Sequence, residues 1–164
     1  MTKELCSGVA GWLRARDIPA RTGWSGRERE RIGAPFVLVS LRRCDALSGG
    51  FQEYLGELYN ENTGAWEEFY GKKLELELGL DLYAPEGAAE DAIQTLTETL
   101  VQALTLEQPQ GLRVGEITCG GIEWEKNQRC LRQEITAKCT AWLRAVCADS
   151  GEFLDFELRG GWKI

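Results

Sequence analysis

Histidine is absent from this chain of 164 residues. Its absence excludes the usual zinc-binding patterns and almost every histidine-based mechanism, so a general base would have to be a carboxylate or a lysine. The phosphate-binding loop, the dinucleotide-binding glycine pattern and the Gly-x-Ser-x-Gly nucleophile motif are absent as well. The sequence therefore predicts no catalytic residue, no metal site and no cofactor.

Long hydrophobic runs are also missing. No apolar stretch approaches the roughly 18 residues that cross a membrane, and the N-terminal segment lacks the continuous hydrophobic stretch of an export signal. With 43% hydrophobic and 27% charged residues, the composition is typical of one folded globular domain. Without an export signal, the chain is expected to stay in the cytoplasm. Membrane binding is therefore not expected.

Cys-x-x-Cys pairs are absent too, although the chain has six cysteines. They are Cys6, Cys44, Cys119, Cys130, Cys139 and Cys147. An even number permits disulfides, but a domain of this length without an export signal does not need them for stability. Because Cys139 and Cys147 share the apolar face of a predicted strand, buried free thiols are the preferred interpretation.

Positive charge is scarce in the middle of the chain. Residues 44–110 contain two Lys/Arg against fourteen Asp/Glu, whereas residues 1–43 contain nine against four. This distribution suggests complementary patches, within the fold or between copies, with solvated faces of unequal sign as the alternative. The net charge of −7 argues against a broad phosphate-neutralising surface, so specific nucleic acid binding is not expected.

The clearest pattern that is present is LELELGLDLYA at residues 74–84. Side chains alternate between the two faces of a strand, so the five leucines lie on one face. Glu75, Glu77 and Asp81 lie on the other face. Three carboxylates on one face can form a catalytic cluster, but the solvent face of a sheet commonly has the same composition and is the preferred interpretation.

The remaining elements follow from apolar periodicity. Helices are predicted over 3–15 and 88–104, and strands over 36–41, 66–83, 114–124, 131–147 and 153–158. A strand or irregular ribbon is predicted over 51–59, followed by a loop. The Gly120-Gly121 pair predicts a bulge in a long hairpin. The chain is expected to form a single domain over 1–164, with a basic loop over 20–33, a sheet and helix core over 35–147 and a C-terminal extension over 148–164.

Two groups of aromatic side chains are candidates for contacts. Trp66, Phe69 and Tyr70 belong to an acidic, aromatic stretch over 51–70, which is predicted to form a protein contact surface or part of the core. Stacking of nucleic acid bases is disfavoured because carboxylates dominate this stretch. Trp142 lies on an otherwise polar strand face, which suggests either a partner that covers this face or a bulge that shifts the register.

The order of these elements resembles that of the tail terminator (tail completion) proteins of long-tailed bacteriophages and their prophage relatives. The segments that carry the resemblance are APFVLVSL at 34–41, LELELGLDLYAP at 74–85, the helix at 88–104 and GIEWEKNQRCLRQEITAKCTAWLRA at 121–145. The resemblance implies an α+β fold: a mixed, mostly antiparallel sheet of about 4–6 strands with two main helices packed on one face.

The resemblance also implies a structural, non-enzymatic function. Family members form a hexameric ring that caps the tail tube, stops its polymerisation and presents a surface to the head–tail connector. The implied partners are therefore other copies of the chain, the tail tube protein and the connector. The implied location is the cytoplasm of the bacterial host and then the virion tail.

Ten residues are candidates for these contacts. Those expected at a subunit or partner interface are Arg27, Arg29, Arg31, Trp66, Phe69, Tyr70 and Trp142. Those expected to form an acidic face towards the lumen, where like charge repels DNA phosphate, are Glu75, Glu77 and Asp81.

Two alternative functions are compatible with the sequence. One is another head–tail joining or baseplate component of similar fold. The other is a small carboxylate-dependent enzyme or ligand-binding domain that uses the aromatic stretch. That second alternative requires a deep pocket with an inward carboxyl group of raised pKa.

Overall fold

A computed structural model describes residues 2–23, 32–147 and 153–159, which form two helices and one seven-stranded sheet. The helices are α1 (Thr2–Arg14) and α2 (Glu90–Leu106). The strands are β1 (Ala20–Arg21), β2 (Phe36–Ser48), β3 (Tyr54–Asn60), β4 (Ala65–Pro85), β5 (Arg113–Glu125), β6 (Cys130–Cys147) and β7 (Phe153–Arg159). Neither of these helices is long and apolar enough to cross a membrane.

The two longest strands, β4 and β6, form the central pair of the sheet. Five strands lie side by side in the order β1-β2-β4-β6-β5, while β3 pairs with the first part of β4 and β7 with the last part of β6. β1 and β2 are parallel, and the other pairs are antiparallel. Six strands have seven residues or more. The expected α+β fold with a mixed, mostly antiparallel sheet is confirmed.

The predicted leucine face lies in the core. The five leucines at alternate positions from Leu74 to Leu82 are each at most 3% exposed. They form one cluster with Ala137 of β6, Val9 of α1 and Leu100 of α2. Because both helices join the same cluster on the same side of the sheet, they pack on one face, as expected. We call this side the helix-side face and the opposite side the outer face.

Three segments form more of the sheet than the sequence predicts. β2 continues to Ser48, past the predicted end at residue 41, because its pairing with β4 persists after its side chains become polar. Ala20–Arg21, at the start of the predicted basic loop, forms β1. In the C-terminal extension, β7 pairs with β6, which gives the strand predicted over 153–158 its place in the sheet.

β5 and β6 form the predicted hairpin. The register shifts between Cys119 and Ile122, where the Gly120-Gly121 pair predicts a bulge, so that prediction is confirmed. A further shift between Val114 and Ile117 has no comparable signal in the sequence. The hairpin places the full length of β6 beside β4 and makes this pair the spine of the molecule.

The five cysteines whose side chains are described are free thiols. Cys6, Cys130 and Cys139 are buried, whereas Cys44 and Cys119 are exposed. Burial raises the pKa of the Cys139 thiol to about 11 because the thiolate would lose its hydration in the core. The prediction of a buried free thiol is confirmed for Cys139, while the side chain of Cys147 lies outside the described part.

We expect Cys139 to resist alkylation in the native protein. At pH 8, a thiol pKa raised from 9.0 to about 11 lowers the thiolate fraction about 100-fold. Iodoacetamide labelling followed by peptide mapping measures this protection. Cys44 is the internal control, because its exposed thiol is open to reagent in both the native and the unfolded chain. Equal native labelling of Cys139 and Cys44 would contradict the buried position of Cys139.

Candidate assembly surface

The spine of the molecule extends beyond the helices. The central helix-covered cluster reaches Leu74 on β4 and Ala141 on β6. Past these residues, β4 pairs with β3, and β6 pairs with β7. We call this part the arm: β3, residues 65–73 of β4, residues 142–147 of β6, and β7. The helices pack against β1, β2, β4 and β5, so the helix-side face of the arm has no helix over β3 in the described structure.

Four aromatic side chains line the helix-side face of the arm in two edge-to-face pairs. Tyr54 and Tyr70 have ring centroids 5.4 Å apart, and Tyr59 and Trp66 have centroids 5.5 Å apart. Each pair joins directly opposed residues of β3 and β4, and opposed residues share a face. Trp66 and Tyr70 have the same parity as Leu74, which assigns them to the helix-side face. We call these four residues the aromatic patch.

The aromatic patch is largely exposed to solvent. Trp66 is 55% exposed, Tyr59 51% and Tyr54 39%. Two other apolar side chains of this region are also exposed: Phe51, in the turn before β3, at 86%, and Leu58, on the outer face opposite Glu67, at 46%. Single exposed apolar residues are ordinary, but a cluster of this size on one part of a fold is typical of an interaction surface.

Carboxylates surround the aromatic patch. Residues 51–70 contain five glutamates and neither lysine nor arginine. Glu53 accepts a hydrogen bond from Lys72 at 2.7 Å, which lowers the pKa of its carboxyl group. Partial burial, with the nearby charges of Glu57 and Glu68, raises the pKa of Tyr54. Glu57 and Glu68 therefore lie close to the patch, and we call their two carboxylates its carboxylate rim.

Two of the three aromatic residues predicted in the 51–70 stretch belong to the patch, and one does not. Trp66 is exposed and Tyr70 is half-buried beside Tyr54. Phe69 is only 5% exposed, and its ring packs under the guanidinium of Arg144 at 4.8 Å. Phe69 lies at an odd-numbered position of β4, so its side chain points to the outer face, where Arg144 covers it. Because the chain itself buries Phe69, the expectation that this residue forms part of an interface is wrong.

Trp142 also lies on the outer face. Its opposite neighbour on β4 is Lys73, and the β4–β6 register continues through this pair without a shift, so a bulge between these strands does not explain its position. Trp142 is half-buried, and a Cβ atom at Gly49 would lie 3.4 Å from its Cζ3. The chain itself therefore covers part of Trp142. Arg27, Arg29 and Arg31 lie outside the described residues.

Tyr54 and Tyr59 are patch residues that the sequence did not single out. The alternation of β3 is interrupted by a register shift between Tyr54 and Gly56, so their common face is not visible from spacing alone. The available signal was the turn at Asn60–Gly64, which sets Tyr59 opposite Trp66 across the hairpin.

Of the three carboxylates predicted to form an acidic face, Glu75 and Glu77 are accessible to solvent and Asp81 is buried. Glu75 is exposed and Glu77 is half-buried on the outer face. They lie among cations: Lys73 contacts Glu75 at 3.0 Å, and the charge of Glu77 helps to raise the pKa of Lys138. Because opposite charges alternate here, this part of the face is much less acidic than the sequence pattern indicates.

Asp81 differs from the expectation of a lumen-facing carboxylate, because it is only 6% exposed. Its carboxylate accepts hydrogen bonds from Arg42 at 2.5 Å, Arg132 at 2.9 Å and the backbone N–H of Ile135 at 3.2 Å. Glycine at position 79 leaves room for this arrangement, since a Cβ there would lie 2.8 Å from the Arg42 Nε. Asp81 of β4 therefore links β4 to β2 and β6, and its role is to stabilise the sheet.

A concavity of about 430 Å³ lies on the outer face between Arg43, Glu75, Glu116 and Lys138. Lys138 contacts Glu116 at 2.9 Å and lowers the pKa of its carboxyl group. A carboxylate-dependent enzyme requires the opposite shift at its proton-transfer group. Within the described ranges, no group of three or more His, Cys, Asp or Glu residues is arranged to hold a metal ion.

Comparisons with known proteins give no further assignment. No protein-family model and no curated protein matches this chain. The candidate surface therefore rests on its own geometry: an uncovered sheet face with paired aromatic side chains and a carboxylate rim.

Proposed function

We propose that this chain is a structural subunit of a phage or prophage tail, of the tail-terminator type. In this proposal it forms a homo-oligomeric ring that caps the tail tube and joins it to the head connector. The observation that carries the proposal is the arm, whose aromatic patch continues the helix-side face of the sheet and stays exposed in the single chain. An exposed surface of this kind is stabilised by contact with another protein.

The fold supports the proposal. The α+β domain, with two helices on one face of a mostly antiparallel sheet, is the architecture that the resemblance to tail terminators implies. A ring subunit also needs a rigid body that holds distant contact surfaces at fixed positions. The pairing of β4 with β6 keeps one register from Pro85–Cys130 to Glu68–Cys147, interrupted only at Leu80 and Asp81, and supplies such a body.

The charge pattern of the outer face supports a non-enzymatic role. Its acidic groups are engaged by neighbouring cations, as in the pairs Lys73–Glu75, Arg43–Asp45 and Lys138–Glu116. A surface with paired charges and no excess of cations does not retain DNA phosphate. In this proposal the outer face, with Glu75 and Glu77, is directed to the lumen.

Co-purification tests the proposal against its nearest alternative. The tagged chain, expressed with the other tail proteins encoded beside it, is expected to purify with the tube protein and the head–tail connector. When added to polymerising tube protein, it is expected to stop tube growth, measured as tube length by electron microscopy. Purification with baseplate proteins alone would instead favour a baseplate component, and binding to none of these proteins would overturn the assignment to a tail.

A further inference from the structure

The arm and the region around β1 lie at opposite ends of the spine. β1 pairs with β2 at Val37 and Leu38, and Val37 lies opposite Leu82 of β4. From Leu82 to Trp66, β4 runs for sixteen residues, which corresponds to roughly 50 Å at strand spacing. Groups at these two ends therefore cannot contact each other within one chain.

The end of the molecule around β1 carries cations. Arg14 and Arg21 are both exposed. Arg14 donates a hydrogen bond to the carbonyl oxygen of Ala20 at 3.1 Å, and the Arg21 guanidinium lies 4.6 Å from the centre of the Phe36 ring. These contacts place both arginines beside β1. Within the described ranges neither of them forms an ion pair with a carboxylate, and we call these two residues the cationic end.

The helix-side face of the arm carries two adjacent carboxylates beside the aromatic patch. Glu57 and Glu68 are directly opposed across β3 and β4, and both are exposed. This juxtaposition of like charges is unfavourable in the isolated chain, and a cationic surface placed over it removes the repulsion. Guanidinium groups also bind the faces of tyrosine and tryptophan rings. The arm therefore fits a partner surface that presents arginine.

We propose that the arm of one copy docks on the cationic end of a second copy, with the aromatic patch and its carboxylate rim against Arg14 and Arg21. This contact joins two different surfaces of the same chain, so each copy can bind one neighbour at each end. Such head-to-tail contacts close into rings when the rotation between neighbours permits. The inference rests on the proposed function for the homo-oligomer and adds the two surfaces that form it.

The exposed rings of the aromatic patch supply part of the area that a stable contact needs. Trp66 is 55% exposed, Tyr59 51% and Tyr54 39%. Together they expose roughly 300 Å², if a complete aromatic side chain contributes about 200 Å². A standard protein interface buries about 800 Å² on each partner. The three rings thus supply about a third of one side of such an interface, and the polar groups around them complete it.

Reciprocal charge reversal tests the contact. The first variant combines Glu57→Lys with Glu68→Lys, the second combines Arg14→Glu with Arg21→Glu, and the third carries all four changes. By analytical ultracentrifugation of the full chain, the first two are expected to associate about 30-fold more weakly than the wild type. Association is expected to recover in an equimolar mixture of the first two variants. It is also expected to recover in the third variant, which carries all four substitutions. Glu98→Lys, on the exposed side of α2, is the charge control.

A tryptophan pair tests the apolar part independently. Trp66→Ser is expected to weaken association about 30-fold, whereas Trp124→Ser, which removes a 43% exposed tryptophan from β5, leaves association unchanged. Circular dichroism establishes that each variant is folded, and if a charge variant does not fold, the tryptophan pair decides the question.

The outcomes separate the inference from the proposed function. A wild-type protein that is monomeric would overturn the proposed ring. A wild-type oligomer that survives both charge reversals and Trp66→Ser would overturn the arm contact alone and leave the proposed ring in place. Loss of association in Trp124→Ser but not in Trp66→Ser would overturn the arm contact and assign the interface to β5 instead.

Discussion

Replacing Asp81 with alanine is expected to lower the free energy of unfolding by about 3 kcal/mol. The carboxylate accepts hydrogen bonds from Arg42 and Arg132 and from the backbone of Ile135, and its side chain is 8% exposed. Its removal leaves two guanidinium groups close together without their shared counter-ion. Both arginines keep some contact with water, at 24% and 34% exposed, so the effect falls near the lower end for buried ion pairs.

Urea unfolding followed by circular dichroism measures this effect. Glu75→Ala is the matched control, because Glu75 is an exposed carboxylate on the same face of the same strand, where it pairs with Lys73. Its replacement is expected to change the free energy of unfolding by no more than about 0.5 kcal/mol. Similar values for the two variants would show that Asp81 is solvated, as a lumen-facing carboxylate would be.

Replacing Leu80 with alanine is expected to cost about 3 kcal/mol of folding free energy. Leu80 is fully buried at the centre of the leucine face, opposite Val39 of β2, which is also fully buried. Removal of its side chain leaves a cavity between the sheet and the helices, because neighbouring strands are fixed by their ladders and close the space only in part.

Leu106→Ala provides the matched control for this change. Leu106 is 73% exposed at the end of α2, so its replacement removes the same atoms without opening a cavity. We expect a change of at most about 0.5 kcal/mol. If Leu80→Ala were as mild as this control in urea unfolding, the helix-side face could not be the main core.

The periodic parts of the fold could be predicted from the sequence. Strict alternation from Leu74 to Leu82 is enough to assign one buried face, because a strand turns every second side chain to the same side. The apolar spacing of α2 and the Gly120-Gly121 bulge are equally local signals. Both depend on residues that are neighbours in the chain.

The environment of single polar residues could not be predicted in the same way. Asp81 has the parity of Glu75, yet it is buried because arginines from β2 and β6 converge on it. Arg42 lies at the point where the register of β2 on β4 shifts, between Leu41 and Arg43. The spacing of residues in the sequence does not indicate this shift. Partners 39 and 51 positions away decide the solvation of this carboxylate.

The candidate surface was predicted in composition but not in arrangement. The aromatic stretch over 51–70 was visible in the sequence. Which rings share a face depends on the pairing of β3 with β4 and on the shift beside Gly56. This register directs Tyr59 and Trp66 to the exposed side, and the parity of β4 directs Phe69 to the buried side.

The mass of the purified wild-type chain in solution tests the central claim most directly. Light scattering coupled to size-exclusion chromatography at micromolar concentration is expected to show a ring-sized particle that is stable to moderate dilution. Six copies of the 18.3 kDa chain have a mass of about 110 kDa. A single species of 18.3 kDa that persists when tube protein is added would contradict the proposed ring.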